Sequence, residues 1–136
     1  MILVDTGPLV AAFRRSDKNH ATCRNKLRTL PGPFASSLNV LTEAFHLLTP
    51  GSNGADDLRT LVSEGFLKIL LPEEADIARA FALMEQYRDL PMDFADASII
   101  AAAETLKTLK VFTLDRRDFA VYRIKRGHRR YAVDLV

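Results

Sequence analysis

Two acidic residues stand where α/β proteins commonly carry out chemistry. Asp5 directly follows the apolar run 2–4, and Asp115 directly follows the apolar run 111–114. Both runs have the composition of strands that are buried on both faces of a parallel sheet. Ligand sites in open α/β sheets gather at the carboxyl ends of strands, so we expect these two carboxylates to share one edge of the sheet. Taken singly, each is also explained as a loop acid or a helix cap.

A third candidate acid, Asp96, lies at the start of a predicted helix. Asp93 precedes it by three residues, so Asp93 can be the N-cap and Asp96 the acid of a capping-box-like arrangement. Asp96 is also followed at helical spacing by Ile99, Ile100 and Ala103, which predicts that its side chain leans toward the buried face. A carboxylate in such a place needs a cation or hydrogen-bond donors.

The fourth candidate, Glu43, belongs to a predicted helix over residues 38–48 that is apolar around most of its circumference. On a helical wheel of about 100° per residue, Glu43 lies at the border of the apolar arc, roughly 40° from Leu47. It is either a glutamate at the rim of the core or an acid that points into a crevice.

Four acids on one sheet edge repel one another unless a divalent cation neutralises them. Carboxylates, water and phosphate oxygens are the ligands that Mg²⁺ and Mn²⁺ prefer, and one or two such ions can activate water in phosphodiester cleavage. The three histidines and the single cysteine are scattered, so no zinc site competes, and no phosphate-cradling glycine loop is present. The sequence therefore predicts a magnesium or manganese site formed by Asp5, Glu43, Asp96 and Asp115.

Strand and helix patterns alternate along the chain. Strands are predicted at 2–4, 34–36, 68–71 and 111–114, and helices from Thr6 onward and at 20–30, 39–48, 56–64, 73–87 and 94–106. Thr6 is expected to cap the first helix, with Pro8 in its first turn. Residues 121–124 and 131–135 either pair around Gly127, or only the second segment joins the sheet. This alternation predicts an α/β three-layer sandwich with a mostly parallel central sheet of four or five strands, in one domain spanning residues 1–136.

Composition bounds the class of protein. A chain of 136 residues with 48% hydrophobic residues suits a single core. The only cysteine, Cys23, cannot form an internal disulfide, which favours a reducing cytoplasm and a buried or inert thiol. Neither a leader peptide nor a run of roughly 18 apolar residues is visible, so we expect a soluble protein without a membrane partner.

The net charge of only +2 does not by itself indicate nucleic acid, but the basic residues are unevenly distributed. They crowd between positions 116 and 130, beginning immediately after Asp115. These cations either bind phosphate groups near the acids or form a solvated face. The predicted phosphate-binding residues are Arg116, Arg117, Arg126, Arg129 and Arg130.

Four motifs, taken in order, resemble the PIN-domain ribonucleases, and most of all the VapC-type toxins of type II toxin–antitoxin pairs. They are ILVDTGPLVA at 2–11, LTEA at 41–44, DFADAS at 93–98 and TLDRRDF at 113–119, so the resemblance covers nearly the whole chain. It maps Asp5, Glu43, Asp96 and Asp115 onto the metal-binding acids, and Thr6 onto the small hydroxyl residue beside the first of them. Asp93 and Asp118 can be outer-shell ligands, partners of nearby arginines, or caps.

The resemblance implies a Mg²⁺- or Mn²⁺-dependent endoribonuclease that acts as a toxin. It also implies a homodimer, a cognate antitoxin protein, and structured RNA such as transfer or ribosomal RNA as the target. A PIN-like nuclease of RNA processing and a non-catalytic protein-binding module are alternatives. A phosphatase of the haloacid-dehalogenase type is a further alternative, but it needs a second Asp at position 7, which is Gly7 here.

Overall fold

A five-stranded parallel sheet forms the centre of the computed structural model, which describes all residues 1–136. The order of its strands across the sheet is β3-β2-β1-β4-β7, with every neighbouring pair parallel. The bounds are β1 Ile2–Val4, β2 Phe34–Ser37, β3 Leu67–Leu70, β4 Lys110–Phe112 and β7 Asp134–Leu135. The central strand β1 is almost completely buried. The predicted fold class is confirmed, with the larger of the two predicted strand numbers.

Helices flank the sheet in two groups. The helices are α1 Thr6–Phe13, α2 His20–Thr29, α3 Leu38–Leu48, α4 Asn53–Ser63, α5 Glu74–Gln86, α6 Phe94–Leu106 and the single-turn α7 Arg116–Phe119. Helix α1 packs against α2, α3 and α4, whereas α5 packs against α6, which also contacts β1 and β2. The buried apolar side chains form one continuous cluster, which includes Cys23, as expected. No helix has the length and apolar character needed to cross a bilayer.

The local predictions fail in places where a side chain takes a different partner. Helix α4 begins three residues before the predicted start, because Ser52 caps it by accepting a hydrogen bond from Ala55 N–H at 3.1 Å. Strand β3 begins and ends one residue earlier than predicted, and α7 was not predicted at all. Thr6 does not cap α1, because Asp5 occupies the N-cap position and Thr6 is already helical.

The C-terminal tail combines parts of both predicted alternatives. Strands β5 Arg123–Arg126 and β6 Arg129–Ala132 form an antiparallel hairpin around Gly127, and β7 then joins the central sheet. Gly127 has a φ of 62°, a left-handed conformation that glycine adopts without steric cost. Ile124 is fully buried and anchors the hairpin, while Lys125 N–H donates to Glu104 Oε1 on α6 at 3.0 Å.

Candidate active site

An open cleft of about 430 Å³ lies at the carboxyl ends of β1 and β4. These strands pair directly, Val4 opposite Phe112, so the residues that follow them meet at one edge of the sheet. All four predicted acids, Thr6 and Asp93 line the cleft, whereas Asp118 and the five predicted arginines do not. The carboxylates of the lining are Asp5, Asp17, Glu43, Asp93, Asp96 and Asp115.

Asp5 is the most deeply placed carboxylate, with 7% of its surface exposed. Thr113 Oγ1 donates a hydrogen bond to Asp5 Oδ2 at 2.8 Å and accepts one from Asp115 N–H at 3.0 Å. Burial raises the pKa of Asp5 to about 6, although the Thr113 hydrogen bond acts in the opposite direction. The Thr113 hydroxyl therefore links the acids that follow β1 and β4.

Asp96 lies half-buried on the first turn of α6. Asp93 caps this helix by accepting the Asp96 N–H at 2.8 Å, as predicted. The Asp96 carboxylate does not complete the predicted capping box. It accepts a hydrogen bond from the Tyr122 hydroxyl at 3.2 Å instead. Burial, and then the negative charge of Asp93, raise the pKa of Asp96 to about 7.

Glu43 and Asp115 lie nearer to solvent. The pKa of each is raised, mainly by burial, and for Glu43 also by the negative charge of Asp93. Helix α3, which carries Glu43, begins at Ser37, whose Oγ accepts the Val40 N–H at 3.1 Å and lies 2.7 Å from Ser98 Oγ on α6. This buried contact ties the helix that carries Glu43 to the helix that carries Asp96.

The chemistry of the cleft suits a divalent cation. No Lys, Arg or His lines it, so its buried negative charge has no cationic partner. The Thr6 hydroxyl, 6% exposed, lines the cleft and is the one buried side-chain polar atom without a hydrogen-bond partner. No three side chains converge closely enough to hold a metal ion as they stand. Asp5, Glu43, Asp96 and Asp115 are the residues that would hold a cation, which would offset the repulsion between their like charges.

Three residues were not predicted from the sequence: Asp17, which lines the cleft, and Thr113 and Tyr122, which donate to its acids. Thr113 lies inside the predicted strand 111–114, whereas the observed strand β4 ends at Phe112, and strand alternation alone did not indicate that Thr113 faces Asp5. Tyr122 lies 26 residues from Asp96, and their contact depends on the tertiary packing of Tyr122 between Tyr87 and Phe119. Asp17 comes from the loop between α1 and α2, where no pattern distinguished it from a solvated acid.

The predicted basic residues divide into two sets. Arg116 and Arg117 are exposed on α7, immediately after Asp115. The hairpin arginines lie farther away, because β5 runs along α6 in the direction that leads away from Asp96. Lys125 reaches Glu104, eight residues after Asp96 and therefore about 12 Å farther along α6 at roughly 1.5 Å per residue.

The fold and this acidic cleft define a PIN domain. The sequence profile described as "PIN domain" matches residues 2–125, so the chain belongs to the PIN domain family. Ribonuclease VapC26 of Mycobacterium tuberculosis is a relative that is 25% identical over 124 residues, covering 90% of this chain and 92% of that protein.

Solved structures share the fold. The structure of Mycobacterium tuberculosis VapC20, described as a Sarcin-Ricin loop cleaving toxin, aligns with a TM-score of 0.78 at 18% identity over 86% of this chain and 92% of that one. A toxin-antitoxin complex from Klebsiella pneumoniae aligns with a TM-score of 0.64 at 23% identity, over 89% and 92% of the two chains. FitAcB from Neisseria gonorrhoeae aligns with a TM-score of 0.56 at 19% identity, over 85% and 88%.

Proposed function

We propose that this PIN domain is a metal-dependent endoribonuclease and the toxin of a toxin–antitoxin pair. The observation that carries the proposal is the collection of six carboxylates at the carboxyl edge of the parallel sheet, where buried Asp5 and half-buried Asp96 have no cationic partner. The family membership and the likeness to a ribonuclease support it. In this proposal Asp5, Glu43, Asp96 and Asp115 hold Mg²⁺ or Mn²⁺.

A bound cation of this kind lowers the pKa of its water and stabilises negative charge on a phosphodiester. The residues of the chain supply the arrangement. Thr113 orients the carboxylate of Asp5, and Tyr122 orients that of Asp96. Asp93 holds the first turn of α6, and Asp118 N–H contacts Asp115 Oδ1 at 3.3 Å, so both act as supporting residues. Arg116 and Arg117 bind substrate phosphates beside Asp115.

The proposal is tested by incubating purified protein with transfer and ribosomal RNA, with Mg²⁺ or Mn²⁺ and with excess chelator. We expect cleavage only with the metal, and loss of cleavage in Asp96→Asn. Glu64→Gln, at an exposed acid after α4, is the matched control and should cleave like the wild type. Cleavage that persists in chelator, by a preparation free of contaminating nuclease, would contradict the metal-dependent mechanism.

The proposed antitoxin binds in the groove between α2 and α4. Apolar side chains of Phe13, Leu27 and Leu61 line it, with Arg24 and Arg28 at its edge. An amphipathic helix fits such a groove. The partner should be encoded beside this gene and co-purify with the protein, and Leu27→Glu should release it. A lone gene whose product is harmless when overexpressed would count against the toxin assignment.

We further propose a homodimer formed through the exposed apolar side chains around α5. Leu71, Ile77 and Phe81 are 70%, 36% and 58% exposed, and they lie beside the groove that Phe94 and Ala80 line. Contiguous apolar surface of this kind marks protein–protein contacts. Light scattering should give twice the chain mass for the wild type and a monomer for Phe81→Glu. A monomeric wild type at high concentration would contradict the dimer.

A further inference from the structure

A second concave region is lined by another residue of the loop that joins α1 to α2, Arg15, and by residues of α2 and α4. It encloses about 530 Å³ and its lining is mainly polar, and we call it the polar pocket. Its cationic and imidazole groups come from Arg15 in the loop and from His20 and Arg24 on α2. Helix α4 contributes Asn53 and the only carboxylate of the lining, Asp57.

The arginines of the polar pocket are free to bind an anion. None of the three ion pairs in the structure involves Arg15 or Arg24, and both residues are exposed. Arg24 Nη1 donates to the Ala12 carbonyl at 3.3 Å, which uses one of the donors of its guanidinium. His20 Nδ1 lies 2.8 Å from the Ala11 carbonyl, and this contact holds the imidazole at the wall of the pocket.

The surrounding segment is strongly basic. Residues 14–28 contain six Lys and Arg and a single acid, Asp17, and that acid lies in the cleft rather than in the pocket. Arg14 donates to the carbonyl of Leu47, which lines the cleft, so the basic segment begins at the rim of the cleft. Arg15 and Asp17 are two residues apart, which limits their Cα atoms to a separation of about 7 Å.

We propose that the polar pocket binds backbone phosphates of the RNA next to the bond that is cut. This inference rests on the proposed ribonuclease function. A polyanion that enters a cleft lined by six carboxylates is repelled there, so its attraction to the protein must come from cations at the flanks. Arg15 of the polar pocket is only two residues from Asp17 of the cleft. The first hairpin arginine proposed to bind phosphate, Arg126, is eleven residues from Asp115. The polar pocket contacts phosphate groups only, so its binding does not depend on the base sequence of the RNA.

The test measures the affinity of bulk transfer RNA, with cleavage stopped by chelator, as a function of salt concentration. Neutralising two phosphate contacts in Arg15→Gln/Arg24→Gln should reduce the slope of log Kd against log salt by roughly 1.4 to 1.8. Arg15→Lys/Arg24→Lys should keep most of the slope. The matched control is Lys68→Gln/Arg88→Gln, which removes the same charge from β3 and from the end of α5, and its slope should equal that of the wild type.

Cleavage of the same RNA in Mg²⁺ by the wild type is measured in parallel. If the wild type cleaves and binds RNA but the Arg15→Gln/Arg24→Gln slope is unchanged, or falls equally in the control, the polar pocket has no phosphate role and the proposed function survives. An unchanged RNA slope overturns this inference whether or not the variant loses a partner protein, because Arg24 also borders the proposed antitoxin groove. A wild type that neither binds nor cleaves RNA would overturn the proposed function and this inference together.

Discussion

Four of the six carboxylates of the cleft, those proposed to hold a metal, form an inner pair and an outer pair that differ in their surroundings. Asp5 and Asp96 lie deep, each held by a hydroxyl donor, and their pKa values are raised to about 6 and about 7. Glu43 and Asp115 lie closer to water and have no comparable side-chain hydroxyl partner. Ionising a carboxyl group therefore costs more free energy at the inner pair than at the outer pair. In the proposed function, the inner pair gains most from a bound cation and the outer pair completes the ligand set.

The largest effect is expected on cleavage when an inner acid is replaced. Asp5→Asn and Asp96→Asn remove a ligand worth several kcal/mol in the transition state, which corresponds to a loss of about 1000-fold or more in kcat/KM. Glu43→Gln and Asp115→Asn remove ligands that lie nearer to water, so each should cost less, about 1.4–2.8 kcal/mol or roughly 10- to 100-fold. Steady-state kinetics in saturating Mg²⁺ checks the ranking. Equal losses in all four variants would remove the distinction between the pairs.

The second prediction concerns stability without metal. The folded protein keeps the proton of Asp5 up to about pH 6, whereas an unfolded aspartate releases it near pH ~3.9. Between these two pH values the folded state binds more protons than the unfolded state. The contribution of Asp5 to the free energy of unfolding is therefore greatest below about pH 4 and is lost as the pH rises through about 6. Asp5→Asn should therefore raise the unfolding free energy by about 3 kcal/mol at pH 8 and by little at pH 4.

Thermal unfolding in chelator measures this difference, and Mg²⁺ provides the control. The ion should raise the Tm of the wild type more than that of Asp5→Asn. A ligand that binds only the folded state stabilises it, and the variant, which lacks one carboxylate, should bind the ion less tightly. A variant that is less stable than the wild type at pH 8 would show that Asp5 supports the fold rather than strains it.

The third prediction tests how an inner acid is held. Tyr122→Phe preserves the packing against Tyr87 and Phe119 but removes the hydrogen bond to Asp96. Because that bond lowers the pKa of Asp96, its loss should move the acidic limb of the pH–rate profile to higher pH and reduce kcat about tenfold. Tyr131→Phe, on the hairpin and partly exposed, is the control and should leave both unchanged.

The smallest effect on kcat is expected at the hairpin, whose arginines lie outside the cleft and act only on RNA binding in the proposed function. Its register places Lys125 opposite Arg130 and Arg126 opposite Arg129, and like charges in such pairs are unfavourable without an anion. Arg126→Gln/Arg129→Gln/Arg130→Gln should flatten the salt dependence of RNA binding by roughly one unit per lost contact and change stability by less than about 0.5 kcal/mol. An unchanged slope would assign these arginines to a solvated or partner-facing surface.

Much of the fold and the positions of the acids follow from local patterns. Apolar runs that end in Asp predict strand ends, and the parallel arrangement brings Asp5 and Asp115 to one edge. Predictions from local pattern fail where a side chain forms its hydrogen bond with a residue far away in the sequence. The Asp96 carboxylate takes the Tyr122 hydroxyl rather than its own helix terminus, and the Thr6 hydroxyl faces the cleft instead of capping α1. Such choices depend on packing that one segment of sequence does not specify.

The distance along the chain between the cleft and its supporting hydroxyls has a consequence for biosynthesis. Asp5 is held by Thr113 and Asp96 by Tyr122, and β1 gains its neighbour β4 only at residues 110–112. Because domains fold as units during synthesis, a nascent chain shorter than about 120 residues carries most of the acids but lacks their arrangement. The cleft is therefore assembled only after residues 110–122 have left the ribosome, so a nascent chain that stops before them holds the inner acids without their hydroxyl partners.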